Sequence, residues 1–139
     1  MNWKRICTGG GLAGVVFLGI DFIINHLVLL ETWRALQQSG AIHAARSYAF
    51  PVILLEDFGI GFILMWLYAL ARPRLGPGPK TALTTGTLAW FLLYVPHVSA
   101  QWLWYKLPLV IPLAYAVGGL IACWVCTYLA GWQYIEKAP

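Results

Sequence analysis

The chain has 139 residues, of which 60% are hydrophobic and only 10% charged, and its mean hydropathy is +0.72. Soluble domains carry roughly 25% charged residues, so this composition excludes both a soluble globular domain and an intrinsically disordered chain. The formal net charge of +4 comes from 9 Lys and Arg against 5 Asp and Glu. The basic residues sit at the ends of apolar segments and form no stripe interleaved with aromatics, which sets nucleic acid aside.

A membrane-spanning helix needs roughly 20 predominantly apolar residues. Four segments qualify, which predicts an all-α, four-helix transmembrane bundle and a single integral membrane domain over residues 1–139. The first span runs from about Thr8 to Leu30. Lys4 and Arg5 precede it as in a signal peptide, but no A-x-A-like site follows and Asp21 stands where cleavage would fall, so it reads as a retained helix. Cys7 lacks the small-residue context of a lipoprotein site. The second span runs from about Phe50 to Ala71, the third from Thr81 to Trp102 and the fourth from Leu107 to Ala130.

The connections differ in kind. In Glu31 to Tyr48, Trp33, Leu36 and the polar run to Gly40 suggest an interfacial helical turn stopped by the glycine. Arg72-Pro-Arg-Leu-Gly-Pro-Gly-Pro-Lys80 reads as a stiff turn, because Pro fixes φ and Gly permits φ > 0. The last connection, around Tyr105, is so short that the third and fourth helices must be antiparallel neighbours. Lys4, Arg5, Arg72, Arg74, Lys80 and Lys137 fall on one side, and Arg34, Arg46 and Lys106 on the other. The positive-inside rule then places both termini in the cytoplasm. Trp3, Trp132 and Tyr134 mark the inner interface, and Trp33, Tyr48, Trp102, Trp104 and Tyr105 the outer one.

Ala114, Gly118, Ala122, Cys126 and Ala130 recur every fourth residue on the fourth helix, and Gly10 and Gly14 make a shorter stripe on the first. Close backbone approach drives helix association in lipid. The stripe suits internal packing, or alternatively docking of other membrane-protein subunits along Ala114, Gly118 and Ala122. Pro96 interrupts the third helix and frees the carbonyl of Leu92, which predicts a kink close to His97.

Three acids, Asp21, Glu56 and Asp57, lie inside the expected spans with no Lys or Arg beside them. A charged acid at mid-bilayer costs roughly 2.5–3.5 kcal/mol, so this needs an explanation. Depth supplies part of one. Asp21 lies just outward of the midplane, and Asn25, His26, Glu56, Asp57 and His97 fall roughly 6–10 Å outward. Ser99 and Gln101 continue the layer toward the surface. Asp21 and Asn25 share a face, being i and i+4. Glu56 and Asp57 point about 100° apart, so at most one is expected to aim at a given centre.

Four readings fit this layer. Neutral acids could hydrogen-bond to His, Asn and each other and hold the bundle in register. Glu56, His26 and His97, with Asp57, could form a metal or proton site, although the repeated Glu-x-x-His spacing of helix-borne metal sites is absent. His26 and His97 could ligate a haem or chlorophyll. A cationic or quinone-like ligand could enter from the outer face among the aromatics. Separately, Cys123-Trp-Val-Cys126 is a C-x-x-C of the kind redox enzymes use. It lies in the cytoplasmic half, has no second pair to exchange electrons with, and places Cys126 on the small-residue stripe.

The segment Tyr68-Ala-Leu-Ala-Arg72-Pro-Arg-Leu-Gly-Pro-Gly-Pro-Lys-Thr-Ala82 resembles the inter-helix turn of a group of small bacterial four-helix membrane proteins of unknown function. In that group the following helix carries an aromatic, here Trp90, and the first helix an Asp, here Asp21. The resemblance implies the fold and a bacterial inner-membrane location, and no activity. Arg72, Arg74 and Lys80 in this turn would touch anionic lipid head groups or a docked partner. Two functions follow as expectations. One is a non-catalytic accessory subunit of a larger membrane complex, suggested by the tiny loops. The other is a protein with its own outer-half site for a metal, proton, pigment or small ligand. No cofactor is specified.

Overall fold

The computed structural model describes residues 2–43, 45–105 and 107–134. Of the basic residues weighed for orientation, Lys106 and Lys137 lie outside the described residues. Regular structure among the described residues is helical throughout: α1 (Trp3–Ile23), a π-helical turn (Ile24–Val28), α2 (Leu30–Gln38), α3 (Ala49–Leu75), α4 (Pro79–Tyr105) and α5 (Val110–Trp132). Three stretches are long and apolar enough to cross a membrane: Trp3–Val28, Ala49–Leu75 and Val110–Trp132. These match the first, second and fourth expected spans. The third expected span is α4, 27 residues long. Its threonines and its polar end, His97 to Gln101, leave it less apolar than the others.

α1 and α3 pack closest, because glycine faces glycine. A Cβ added at Gly61 would collide with the backbone N of Gly14 and would stand 2.6 Å from the carbonyl O of Gly10. Gly10 and Gly14 in turn press on Phe62 and Phe58 of α3. The pairing of Gly10 with Phe62 and Gly14 with Phe58 makes the two helices antiparallel. On α4, Gly86 lets the Cys123 carbonyl of α5 approach, an added Cβ standing 2.9 Å from it. Trp90 Nε1 donates to the Ala116 carbonyl at 2.8 Å, and Trp124 Nε1 donates to Thr87 Oγ1 at 2.9 Å. These bonds tie α4 antiparallel to α5, as the short connection requires.

The small residues of α5 are used inside the chain. Ala122, Cys126 and Ala130 are buried in the main core with Ala13, Leu64 and Met65. Ala114 packs on a second cluster with Ile24, Leu29 and Ile111. Gly118 abuts Ile24, and Gly119 abuts the Tyr94 ring. Internal packing, the first of the two expectations for this stripe, is what occupies it.

Several boundaries differ from the sequence reading. The stiff turn expected over residues 72–80 is shorter, because α3 continues through Arg72, Pro73 and Arg74 to Leu75. Proline's fixed φ is itself helical, so one proline near a helix end forfeits a single hydrogen bond and does not end the helix. Termination waits for Gly76 and Gly78, at φ of 80° and 122°. α4 likewise runs as one helix through Pro96. Gly40, at φ of 73°, follows α2 as expected. Tyr134 is 3% exposed, so it is no lipid-facing interfacial residue. It plugs the end of the bundle, meeting the Tyr68 ring edge-on and accepting from the Asn2 backbone N–H at 3.3 Å.

Gly61→Ala should destabilise the bundle by roughly 1–3 kcal/mol, because two backbones must separate to admit one methyl. Gly19→Ala, where the added carbon meets nothing within 4 Å, should be neutral. Unfolding in a detergent titration measures both. Equal stability of the two variants would contradict the proposed α1–α3 contact.

Candidate functional site

The site begins with a local departure from α geometry. Ile24–Val28 form a π turn, which inserts an extra residue into one turn and re-aims the side chains that follow; such turns recur at functional sites. Asn25 stands in it and is bonded on every side. Its Nδ2 donates to the Asp21 backbone carbonyl at 3.0 Å and to Asp21 Oδ1 at 3.1 Å. Its Oδ1 accepts from Trp33 Nε1 at 3.1 Å and from the Tyr115 hydroxyl at 2.6 Å. Both lone pairs of the amide oxygen are thereby used. One side chain therefore joins α1, the π turn, α2 and α5.

Beside this hub lies a cavity of about 790 Å³ with walls from all four long helices. The six residues singled out from the polar layer all line it: Asp21, Asn25 and His26 from α1 and the π turn, Glu56 and Asp57 from α3, and His97 from α4. Tyr115, Tyr94 and Gln101 also face it, and Phe17, Ile60, Ile63 and Leu93 supply apolar wall. Ser99, placed in the same layer from sequence, instead donates to the Val95 carbonyl at 2.7 Å.

The acids differ in their settings. Asp57 is 5% exposed, and its Oδ2 has no hydrogen-bond partner. Glu56 is exposed and forms part of the rim. Both members of this adjacent pair line the one cavity, from different settings. His26 and His97 are exposed too. His26 stacks on Phe22 with ring centroids 4.3 Å apart, and His97 Nε2 lies 2.9 Å from Gln101 Nε2. Gln101 Oε1 is buried without a partner.

Among the described residues, no three His, Cys, Asp or Glu side chains are grouped so as to hold a metal ion. Glu56, His26 and His97 share the cavity without forming such a cluster. Among the described residues, no Lys or Arg lines this cavity either. A buried acceptor with no donor is costly in a medium that cannot hydrogen-bond, so Asp57 is the most demanding group in the cavity.

The other candidate groups lie elsewhere. Cys123 and Cys126 are free thiols with no exposed surface, and Cys126 Sγ donates to the Ala13 carbonyl at 3.3 Å. They pack in the core among alanines, far along α5 from Tyr115. At the opposite end of the bundle, Arg72 sits 5.2 Å from the Tyr134 ring centroid and lines a smaller cavity of about 270 Å³ with Tyr68 and Tyr128. Arg74 and Lys80 beside it are exposed.

Comparison with protein-family models, with curated proteins and with solved structures finds no match. The class is a helical protein with three helices long and apolar enough to cross a membrane and, near the α2 end, an open cavity lined by acids, histidines and apolar side chains. Sequence reading places Trp33 at the interface and passes over Tyr115. The available signal for Tyr115 was a phenol inside a charge-free apolar span, where a hydroxyl must find a partner.

Asn25→Ala should destabilise the fold by roughly 2 kcal/mol, taking its side-chain bonds at about 0.6 kcal/mol each within a membrane. Tyr115→Phe, which removes one bond, should cost about a third of that. Thermal unfolding followed by tryptophan fluorescence reads both. An Asn25→Ala protein as stable as the parent would show that the hub holds nothing together.

Proposed function

We propose that this chain is a small polytopic membrane protein with its own ligand site: four spans enclose the polar cavity, and a small molecule binds there. One observation carries the reading. Residues from α1, the π turn, α3 and α4 that are expensive to bury in lipid all turn to the same cavity, where Asp57 Oδ2 lacks a donor. Intramembrane ionisable residues of this kind ordinarily mark a site.

The reading includes α4 as the fourth span. Its 27 residues would cover about 40 Å at 1.5 Å per residue. Two of its threonine hydroxyls bond back to their own helix. Thr84 Oγ1 donates to the Lys80 carbonyl and Thr85 Oγ1 to the Thr81 carbonyl, both at 2.8 Å. Lys4, Arg5, Arg72, Arg74 and Lys80 gather at the end holding Gly76–Gly78, whereas Arg34 and Arg46 lie toward the α2 end. The proposal therefore keeps both termini cytoplasmic in a bacterial inner membrane and opens the cavity in the outer half. Reporter domains fused to either terminus should both report the cytoplasm. Opposite locations for the two reporters would reduce the spans to three.

The rival reading is an accessory subunit of a larger complex, in which a neighbouring protein helix supplies the missing donor to Asp57. Extraction from native membranes with a lipid-scaffold polymer, followed by native mass spectrometry, separates the two. A ligand site predicts a small molecule retained with a single chain and lost in Gly59→Trp. Gly59 lines the cavity, and a side chain built there starts in open space. A stoichiometric protein partner with no retained small molecule would instead establish the subunit reading.

A further inference from the structure

The hydrogen-bonding inventory of the cavity narrows the ligand. Two of its donors are committed inside the protein, the Tyr115 hydroxyl to Asn25 Oδ1 and Asn25 Nδ2 to Asp21. The buried atoms left without partners at the cavity are acceptors, Asp57 Oδ2 and Gln101 Oε1. A quinone offers only carbonyl acceptors, so it would leave both unsatisfied. A bare metal ion would find no three-ligand group among the described residues. The volume of about 790 Å³ lies within the range of roughly 300–1,000 Å³ that holds drug-sized molecules, and exceeds what an ion or a proton requires.

Charge points the same way. Three carboxyl side chains line the cavity, with no Lys or Arg lining it among the described residues. Phe17, Ile60, Ile63 and Leu93 add apolar lining. Tyr94 and Tyr115 also line it, and an aromatic face can receive a cation. From these features we infer that the cavity binds an amphiphilic organic ammonium: an N–H-bearing cationic head bonded to Asp57 and an apolar body along α3 and α4. This inference rests on the ligand-site reading above and names its ligand class.

The test uses the full-length protein in lipid nanodiscs and three probes of one shape: 2-phenylethylamine, 2-phenylethanol and trimethyl(2-phenylethyl)ammonium. Binding is read by saturation-transfer NMR, with Gly59→Trp discs subtracting partition into lipid. The amine should bind at least about tenfold tighter than the alcohol, the scale of one charge-assisted hydrogen bond. The quaternary ion, which keeps the charge and loses the N–H, should fall between them. Asp57→Asn should remove the preference for the amine, whereas Glu56→Gln at the exposed rim should reduce it less. Should Asp57→Asn fail to fold, the ranking of the three probes on the parent protein decides alone. Equal binding of amine and alcohol, both lost in Gly59→Trp, would overturn the ammonium inference and leave the ligand site standing. Binding unaffected by Gly59→Trp for every probe would overturn both.

Discussion

The contact between Gly14 and Gly61 sets the geometry on which the cavity depends. With no side chain on either residue, the backbones of α1 and α3 approach until a single added carbon would collide. The helices are antiparallel, so distances from this crossing run in opposite senses along the two sequences. Asp21 lies seven residues beyond Gly14, about 10 Å toward the α2 end, and Asp57 lies four residues before Gly61, about 6 Å toward the same end. The crossing thus delivers both acids to the same side, within about 4 Å of one another along the helix axes. α5 completes the enclosure because its own small residues let α1 and α4 lie against it.

A bilayer interior makes strict demands on the polar groups gathered on that side. Each must find a partner inside the protein or in something the protein holds. Asn25 meets the demand fully, and the π turn is the local backbone change that lets it bond along its own helix and across to Trp33 and Tyr115. Asp57, one helix away and just as deeply placed, does not. The contrast between a saturated amide and an unsaturated carboxyl in adjoining positions separates scaffold from site. On the proposed reading the first fixes the wall of the cavity, and the second is where a ligand's donor bonds.

Much of this was legible in the sequence, because membrane constraints write themselves into composition. Apolar stretches marked the three membrane-length helices, depth along each helix gathered Asp21, Asn25, His26, Glu56, Asp57 and His97 into one layer, and Gly40 ended α2 where expected. The remainder depends on contacts between distant segments. The π turn has no local signature, because Asn25 gains its partners only once α2 and α5 are in place. Arg72 to Leu75 stay helical because proline resembles a helix stop more in sequence than in geometry. Glu56 and Asp57 diverge by helical angle, yet both line the one cavity. The C-x-x-C pair, whose spacing suggests chemistry, is buried in the core among alanines.

The functional reading stands or falls on what occupies the space beside Asp57. The most direct measurement is an experimental structure of the protein taken from its native membranes without detergent, at a resolution that shows side-chain carboxylates. Non-protein density within hydrogen-bonding distance of Asp57 Oδ2, bounded by Tyr115 and Gln101, is the result predicted. A helix of a second protein laid across the cavity, with its own donor on Asp57, would contradict a self-contained ligand site.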